Sequence, residues 1–259
     1  MRSILCPADS TPGFDPRLET ALALARAMRG HVTLQVATPV AEMAVWEPFG
    51  GAVLSANAIN AARDADRQLA NDLSEKMKRE DVPFDVSTVD VSRIEGLAAS
   101  ARFADVIVTG LDDPTIEEVS LGVRCPVLAT PENVAMTAFD VPVMIAWDGG
   151  HEAANAMRAS LPLLRLASQV HVLTVKEKTA GFPASDALCY LSRHDIHAEL
   201  HEVAPEGSIS STIEATAKRL GAGLIVMGVY GHSRLRELLL GGVSRDLLDN
   251  ATVPLLLAH

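Results

Sequence analysis

Glycine residues near the end of the chain stand where a strand would stop and a helix would start. Gly228 directly follows the apolar run from Leu224 to Met227, which is typical of a buried parallel strand. The residues that follow in this pattern are Gly231, Gly241, Gly242, Val243 and Ser244. Glycines leave backbone N–H groups bare, and the positive end of a helix attracts anions. The spacing therefore predicts an anion site, most often one for phosphate.

Other motifs for nucleotide or acyl chemistry are missing from the sequence. No Gly-x4-Gly-Lys-(Ser/Thr) stretch occurs, so a P-loop ATPase is unsupported. Gly221-Ala-Gly223 precedes a strand instead of following one, so it is not a dinucleotide fingerprint. No Gly-x-Ser-x-Gly elbow is present either. We predict no catalytic residues.

Histidine and carboxylate residues also gather where a helix end meets a strand start. They are His194, His197, Glu199, His201 and Glu202. In a strand, His197, Glu199 and His201 would share one face, but the group need not converge on one point. We predict a solvated polar face and no metal site. The cysteines Cys6, Cys125 and Cys189 are scattered, which indicates core positions in a reducing compartment.

The elements that position the glycines belong to a chain that repeats itself. Ser3–Asp9 resembles 143–148, and each is an apolar strand that ends in aspartate. Further on, 104–110 matches 222–228, and 125–129 matches 253–257. Each half therefore alternates strands and helices, which predicts an α/β fold of two tandem open parallel five-stranded sheets with helices on both faces. We place the boundary between domains 1–137 and 138–259.

The two halves differ at the glycine loop. Gly110 and Pro126 are sixteen positions apart, whereas the matching Gly228 and Pro254 are twenty-six apart. The first half lacks these ten residues and carries Asp112 and Asp113 instead. Two carboxylates repel phosphate, so we infer that the first half has no phosphate site.

Composition limits the classes of partner. The chain has 259 residues, 48% hydrophobic residues and a net charge of −11, so we expect no nucleic-acid or anionic-lipid partner. The first strand begins near Arg2, which leaves no room for a signal peptide, and no apolar run has membrane-spanning length. We expect a cytoplasmic protein.

With both halves laid out, the chain resembles a tandem universal stress protein of the UspA-like family. The pattern Gly-x2-Gly-x9-Gly marks the ATP-binding branch of that family, and Gly228, Gly231 and Gly241 match it. Gly242 stands where the family usually has a hydroxyl, which weakens a nucleotide site by ~1 kcal/mol without abolishing it. The resemblance implies a Rossmann-like fold, similar to that of nucleotide-binding α-hydrolases, with the halves paired as an internal pseudo-dimer.

The resemblance also implies site residues in the second half. Asp148 would lie beside the ribose or adenine, Val175 would line the adenine pocket, and Ser244 would contact phosphate. The full predicted set is Asp148, Val175, Met227, Gly228, Gly231, Gly241, Gly242, Val243 and Ser244. Asp148 and Ser244 have a second interpretation as helix caps. His232, Arg234, Arg236 and Arg245 are phosphate contacts or merely an exposed basic loop.

The function that follows is a stress-response regulator that binds ATP, with or without Mg²⁺, or another adenine nucleotide in the second half. One alternative is a slow ATPase or adenylyl-transfer enzyme, and another is a ligand-free scaffold. The first half has a further alternative, a different small ligand held by Asp9 and the loop around Trp46 and Phe49. The protein partner and the association of two chains stay open.

Overall fold

A computed structural model describes residues 1–43, 45–47, 51–53, 56–176, 182–229 and 242–259. The strands of the N-terminal half are β1 (Ser3–Ala8), β2 (His31–Ala37), β3 (Val45–Glu47), β4 (Gly51–Val53), β5 (Phe84–Val89), β6 (Val106–Gly110) and β7 (Val127–Thr130). Its helices are α1 (Phe14–Met28), α2 (Ala56–Met77), α3 (Arg93–Ser100) and α4 (Ile116–Gly122). Apart from the additional short strands β3 and β4, strands and helices alternate as predicted.

The C-terminal half repeats this alternation. Its strands are β8 (Pro142–Ala146), β9 (Gln169–Val175), β10 (Ala198–Val203), β11 (Leu224–Gly228) and β12 (Leu255–Ala258). Its helices are α5 (His151–Leu164), α6 (Ala184–Ser192), α7 (Ile209–Leu220) and α8 (Gly242–Asn250). The α/β fold class predicted from the sequence is confirmed.

The two predicted five-stranded sheets are joined edge to edge into one sheet of ten strands. The order is β10-β9-β8-β11-β12-β7-β6-β1-β2-β5. Within this sheet, neighbouring strands of the same half are parallel, whereas β7 and β12 pair antiparallel, with Leu128 opposite Leu256. Both strands are buried along their whole length, so their backbone groups need partners that only the other half can supply. This junction is the pairing of final strands that the pseudo-dimer requires.

Each half has the same internal strand order. In each half the chain first adds strands on one side of its first strand and then adds the remaining strands on the other side. The reversal falls between β1 and β6 in the first half and between β8 and β11 in the second. Ligands of open parallel sheets bind outside the carboxyl ends of the strands at such a switch point. The fold therefore offers two candidate positions, one in each half.

The sheet carries an apolar core on each face. One core includes Leu18 and Leu22 of α1 and Ala156 and Met157 of α5. The other is packed under α3, α4, α7 and α8 and includes Ile213. Both cores contain residues from both halves, so the packing is continuous across the junction.

Two connections carry structure of their own: the one between β2 and α2, and the one that joins the two halves. The connection that holds Trp46 contains a helical turn, Val40–Met43, and the paired strands β3 and β4. The join at 130–140 has no helix, and Met136 and Phe139 are buried in it. The boundary at 137/138 stays a prediction. Within the described ranges, no helix combines the length and apolarity needed to cross a bilayer.

Candidate functional site

The carboxyl ends of three strands of the second half meet at one edge of the sheet. Ala146, the last residue of β8, lies opposite Met227 of β11 on one side and Leu173 of β9 on the other. The N–H of Trp147 donates to the carbonyl oxygen of Leu173 at 2.8 Å, which fixes where the chain leaves β8. Asp148, Val175 and Gly228 therefore follow or end adjacent strands at the switch point, where the sequence predicted them.

The start of α8 faces the same edge. Because β11 and β12 are parallel, the helix between them must run back along the sheet, so its positive N-terminus lies at the carboxyl edge. The helix begins at Gly242, two residues before the predicted start at Ser244. Ser244 lies in its first turn and is buried, and Val243 packs against the second core. Gly231 and Gly241 lie outside the described residues, so the phosphate loop stays a prediction.

Asp148 closes the turn that leads from β8 into α5. Its Oδ1 accepts a hydrogen bond from the N–H of Gly150 at 2.8 Å, and Gly149 has the left-handed φ of 77° that the turn requires. The residue at the N-cap of α5 is Gly150, which has no side chain that could form a capping hydrogen bond. Asp148 thus stabilises the turn at the entry to α5, and its carboxylate stands exposed at the edge.

Gly228 is required by packing and not only by the approach of a ligand. A Cβ at this position would lie 2.4 Å from the backbone N of Ala153 and 2.4 Å from the carbonyl carbon of Glu152. The end of β11 therefore touches the backbone of the first turn of α5, and every side chain larger than hydrogen would push the two apart. This contact holds the ends of β8 and β11 at a fixed separation.

Two aromatic residues at this edge were missed by the sequence analysis. The Nε1–H of the buried Trp147 donates to the carbonyl oxygen of Phe182 at 3.0 Å, and the N–H of Phe182 donates to Gly149 at 3.1 Å. These bonds hold Phe182 beside the turn, with 66% of the residue exposed. Trp147 could have been noticed as the neighbour of Asp148, but no periodic pattern indicates where the segment before α6 returns to the sheet.

The basic residues predicted near the loop are only partly described. Arg245 of α8 is exposed, and its Nε lies 3.7 Å from Oε1 of Glu117 in the other half. This contact favours an ion pair across the junction over a phosphate contact for Arg245. His232, Arg234 and Arg236 lie outside the described residues.

The switch point of the first half is filled by the protein's own charges. Arg17, which is 2% exposed, donates from Nη2 to both oxygens of Asp9 at 2.8 and 2.7 Å. Arg93 bridges two carboxylates, because Nη1 reaches Asp9 at 2.6 Å and Nη2 reaches Asp113 at 2.7 Å. We call these four residues the ionic cluster.

Asp113 occupies the place in the first half that corresponds to the glycine loop in the second. Besides Arg93, its carboxylate accepts from the Thr109 hydroxyl at 2.6 Å and from the N–H and hydroxyl of Thr115 at 2.9 and 2.7 Å. These four donors are all bound to the Asp113 carboxylate, so they are not available to bind an external anion. The absence of a phosphate site in the first half stays a prediction, and the cluster gives it a physical reason.

The cluster keeps both aspartates ionised. Burial alone would raise the pKa of Asp113, but the Arg93 charge and the hydrogen bonds from Thr109 and Thr115 outweigh it, so this pKa is lowered. Burial likewise opposes ionisation of Asp9. Hydrogen bonds from Thr11 and Arg93 and the charge of Arg17 outweigh this effect, so the pKa of Asp9 is also lowered.

These lowered pKa values predict how the cluster contributes to stability as the pH falls. The unfolded chain takes up protons near pH 4 while the folded chain keeps the aspartates ionised, so stability from the cluster is complete above about pH 5 and is lost below it. Urea unfolding of the protein and of Asp113→Asn, followed from pH 7 to acid, measures this. The stability difference between them should be constant above about pH 5 and shrink below about pH 4. A difference that stays constant to the acid limit contradicts the assignment.

A cleft lies beside the ionic cluster at the ends of β1, β2 and β5. One cavity of about 150 Å³ is lined by Asp9, Gln35 and Arg93, and it shares Asp66 with a neighbouring cavity of about 390 Å³. The small-ligand site expected at Asp9 and the loop around Trp46 and Phe49 stays a prediction, since Phe49 lies outside the described residues and only the backbone is described at Trp46.

The histidine group predicted to be a solvated face is divided by the structure. His197 is exposed and precedes β10, and the ring of His194 contacts that of Tyr190 in a tilted arrangement, with centroids 4.7 Å apart and an interplanar angle of 55°. His201 and Glu199 do share a face of β10, as predicted, but they meet His171 of β9, which the sequence analysis did not include. Only the pairing of the two strands could bring His171 into the group.

The cysteines do not form a reactive site among the described residues. Cys6 and Cys125 are buried, and burial raises the pKa of each thiol to about 12, so neither is a thiolate at neutral pH. Cys189 of α6 is exposed, which corrects the expectation of a core position. It lies on the outer face of its helix, away from the buried Ala187 and Leu191.

Comparisons with known proteins agree with this architecture. Residues 142–259 match the model of the universal stress protein family. The universal stress protein Rv2005c of Mycobacterium tuberculosis is 26% identical over 235 residues, covering 83% of this chain and 79% of that protein. A crystal structure of a universal stress protein from Archaeoglobus fulgidus superposes with a TM-score of 0.75 at 16% identity, covering 98% of this chain and 97% of that one. A Pseudomonas aeruginosa protein of unknown function, PA1789, gives a TM-score of 0.63 at 18% identity, covering 100% of this chain and 92% of its own.

Proposed function

We propose that the C-terminal half of this chain binds an adenine nucleotide, ATP with or without Mg²⁺, and acts as a nucleotide-dependent regulator in a stress response, because residues 142–259 match the model of the universal stress protein family. The observation that carries the proposal is the contrast between the two switch points. The first is closed by the ionic cluster, whereas the second gathers Asp148, Val175 and the N-terminus of α8, the helix end that attracts anions.

Each part of the nucleotide would meet a group suited to it. The adenine would pack against Val175 at the end of β9 and the exposed ring of Phe182, since stacking on an aromatic face suits a base. The Asp148 carboxylate would accept hydrogen bonds from ribose hydroxyls. The phosphates would meet the N-terminus of α8, the Ser244 hydroxyl and the glycines from Gly228 to Gly242.

Regulation is favoured over catalysis by the placement of the carboxylates. Hydrolysis needs a general base or a metal site near the γ-phosphate. Asp148 and Glu152 both belong to the entry into α5, on the nucleoside side of the proposed ligand, and the carboxylate of Asp246 in α8 accepts a hydrogen bond from the Ser210 hydroxyl at 3.0 Å. Slow ATP hydrolysis or adenylyl transfer remains the competing enzyme hypothesis.

A route for regulation leads from the phosphates to the other half of the molecule. The start of α8 would contact phosphate, Arg245 in the same helix faces Glu117 of α4, and α8 leads into β12 at the junction with β7. A nucleotide that binds one position of α8 better than another would shift the population of the two positions and so alter the surface offered to a protein partner. The partner would then read nucleotide occupancy.

We expect titration calorimetry with ATP and Mg²⁺ to give one site per chain and Gly231→Val to abolish it, because the branched side chain would block the approach of phosphate to the loop. Gly242→Ser is expected to bind about fivefold more tightly, since it restores a hydroxyl worth ~1 kcal/mol. Gly122→Val is the matched control, because Gly122 lies at the end of α4 in the other half and a Cβ there meets no described atom within 4 Å.

The outcomes separate the three candidate functions. Binding that is lost in Gly231→Val but retained in Gly122→Val supports the nucleotide site. No binding to the unaltered protein at millimolar ATP and Mg²⁺ favours the ligand-free scaffold. Phosphate release above the uncatalysed background, measured on the same samples, favours the enzyme.

A further inference from the structure

Three potential metal ligands converge on the outer part of the sheet in the second half. Nδ1 of His171 lies 3.1 Å from Nε2 of His201, and Oε2 of Glu199 lies 3.7 Å from the first atom and 3.9 Å from the second. Ligands at about 2.0–2.2 Å from a tetrahedral ion are separated by roughly 3.3–3.6 Å. The three atoms therefore already stand at about the separations that one ion would impose.

The sheet itself brings these side chains together. Glu199 and His201 are two residues apart in β10 and so point to one face, and Glu199 lies directly opposite His171 of β9. The group thus rests on two strands fixed by backbone hydrogen bonds, not on loops. A site on rigid elements loses little conformational entropy when it binds an ion.

Burial suits the two imidazoles to this role. The side chain of His171 is 6% exposed and that of His201 is 20% exposed, whereas Glu199 stands at the surface, where an ion can enter. A metal ion binds an imidazole through the lone pair of a ring nitrogen, and the two nitrogens that face each other, Nδ1 of His171 and Nε2 of His201, are the atoms that would supply it.

In the structure the two rings face each other through nitrogen atoms, so one of them must donate and the other accept. Nε2 of His171 is also buried and has no hydrogen-bond partner in the described part of the chain. An ion between the rings would take the place of the shared hydrogen, and the proton of the donating ring would move to the other nitrogen of that ring.

We propose that His171, His201 and Glu199 form a binding site for a divalent transition-metal ion, with a fourth position open to water. Two imidazoles and one carboxylate form a ligand set used by Zn²⁺ and by other borderline divalent ions, and they are less suited to Ca²⁺ or Mg²⁺.

The metal site is separate from the proposed nucleotide site. His171 precedes Val175 by four residues along β9, a distance of about 13 Å in a strand. The metal site also links β10, the edge strand of the sheet, to its neighbour β9. A bound ion would hold this edge in place, so metal should stabilise the fold whether or not a nucleotide is present.

The test titrates Zn²⁺ alone into the metal-free, tag-free protein by calorimetry, and Co²⁺ in parallel by visible absorption. We expect one ion per chain, a higher Tm with Zn²⁺, and a tetrahedral or five-coordinate Co²⁺ spectrum without a thiolate band. His201→Asn should weaken binding by at least about tenfold and remove the rise in Tm, and Glu199→Gln should weaken it less. His171 is left intact because it is buried.

His197→Asn is the matched control, since His197 is exposed and lies just before the same strand. Retained affinity in this variant, together with the loss in His201→Asn, supports the site. Equal affinity in the protein and in His201→Asn, a thiolate band in the Co²⁺ spectrum, or no binding at all overturns the proposal. None of these results depends on whether ATP binds.

Discussion

Asp113→Ala is expected to lower the free energy of unfolding by about 3 kcal/mol. The substitution leaves Arg93 with one carboxylate instead of two, and it removes the acceptor of Thr109 and of both donors of Thr115. Removing one partner of a buried ion pair costs about 3–5 kcal/mol, and we take the lower end because Arg93 keeps Asp9 and is 24% exposed. Urea unfolding at neutral pH measures the change.

Asp112→Ala is the matched control for this substitution. Asp112 is the adjacent carboxylate, but it is exposed, so its removal should change stability by no more than about 0.5 kcal/mol. The double variant Asp113→Ala with Arg93→Ala should lose less than the sum of the two single variants, because the two side chains share one network. Similar stabilities for Asp112→Ala and Asp113→Ala would show that the ionic cluster does not support the fold.

Gly228→Ala is expected to lower the free energy of unfolding by about 1–3 kcal/mol, because its Cβ would overlap the backbone of Ala153 and Glu152. Backbone atoms in the first turn of α5 cannot move aside as a flexible side chain would, so the end of β11 and the helix must separate. The same movement would displace Asp148, so nucleotide affinity should fall as well. Thermal or urea unfolding and ATP titration on one preparation measure both effects.

Gly242→Ala provides the control, because it makes the same chemical change at the other end of the glycine motif. A Cβ at Gly242 meets no described atom within 4 Å, and alanine is preferred to glycine in a helix by up to about 1 kcal/mol. This variant should therefore be as stable as the protein or slightly more stable. If Gly228→Ala matched it, the contact between β11 and α5 would not be as close as described.

Both predictions concern positions whose importance the sequence indicated for a different reason. Asp113 was singled out as a carboxylate that repels phosphate, and the structure adds that it is bound by Arg93, some twenty positions earlier in the chain. Gly228 was singled out as a phosphate-loop glycine, and the structure adds its contact with α5. In each case the residue type was informative, but its partner lies on another element and leaves no local pattern.

Much of the fold could be predicted because local patterns determine it. Apolar runs such as Leu224–Met227 and helical periods such as that of α1 follow directly from the chemistry of burial, and the repeat of the two halves adds the order of elements. The strands that lead to Asp9 and Asp148 and the strand that ends at Gly228 were placed correctly for this reason. Boundaries moved by a few residues, as at the start of α8, because helix ends depend on capping and contacts.

The sequence by itself determined the α/β class, the internal repeat, the position of the candidate site in the second half and the loss of ten residues in the first. Only the tertiary structure decided that the two sheets join through β7 and β12, that Arg17 and Arg93 neutralise Asp9 and Asp113, and that His171 meets His201. The physical reason is distance along the chain. Periodicity and spacing record which face of its own element a residue occupies, whereas strand pairing and charge pairing join residues far apart, and the register that brings them together is set by the packing of the whole sheet.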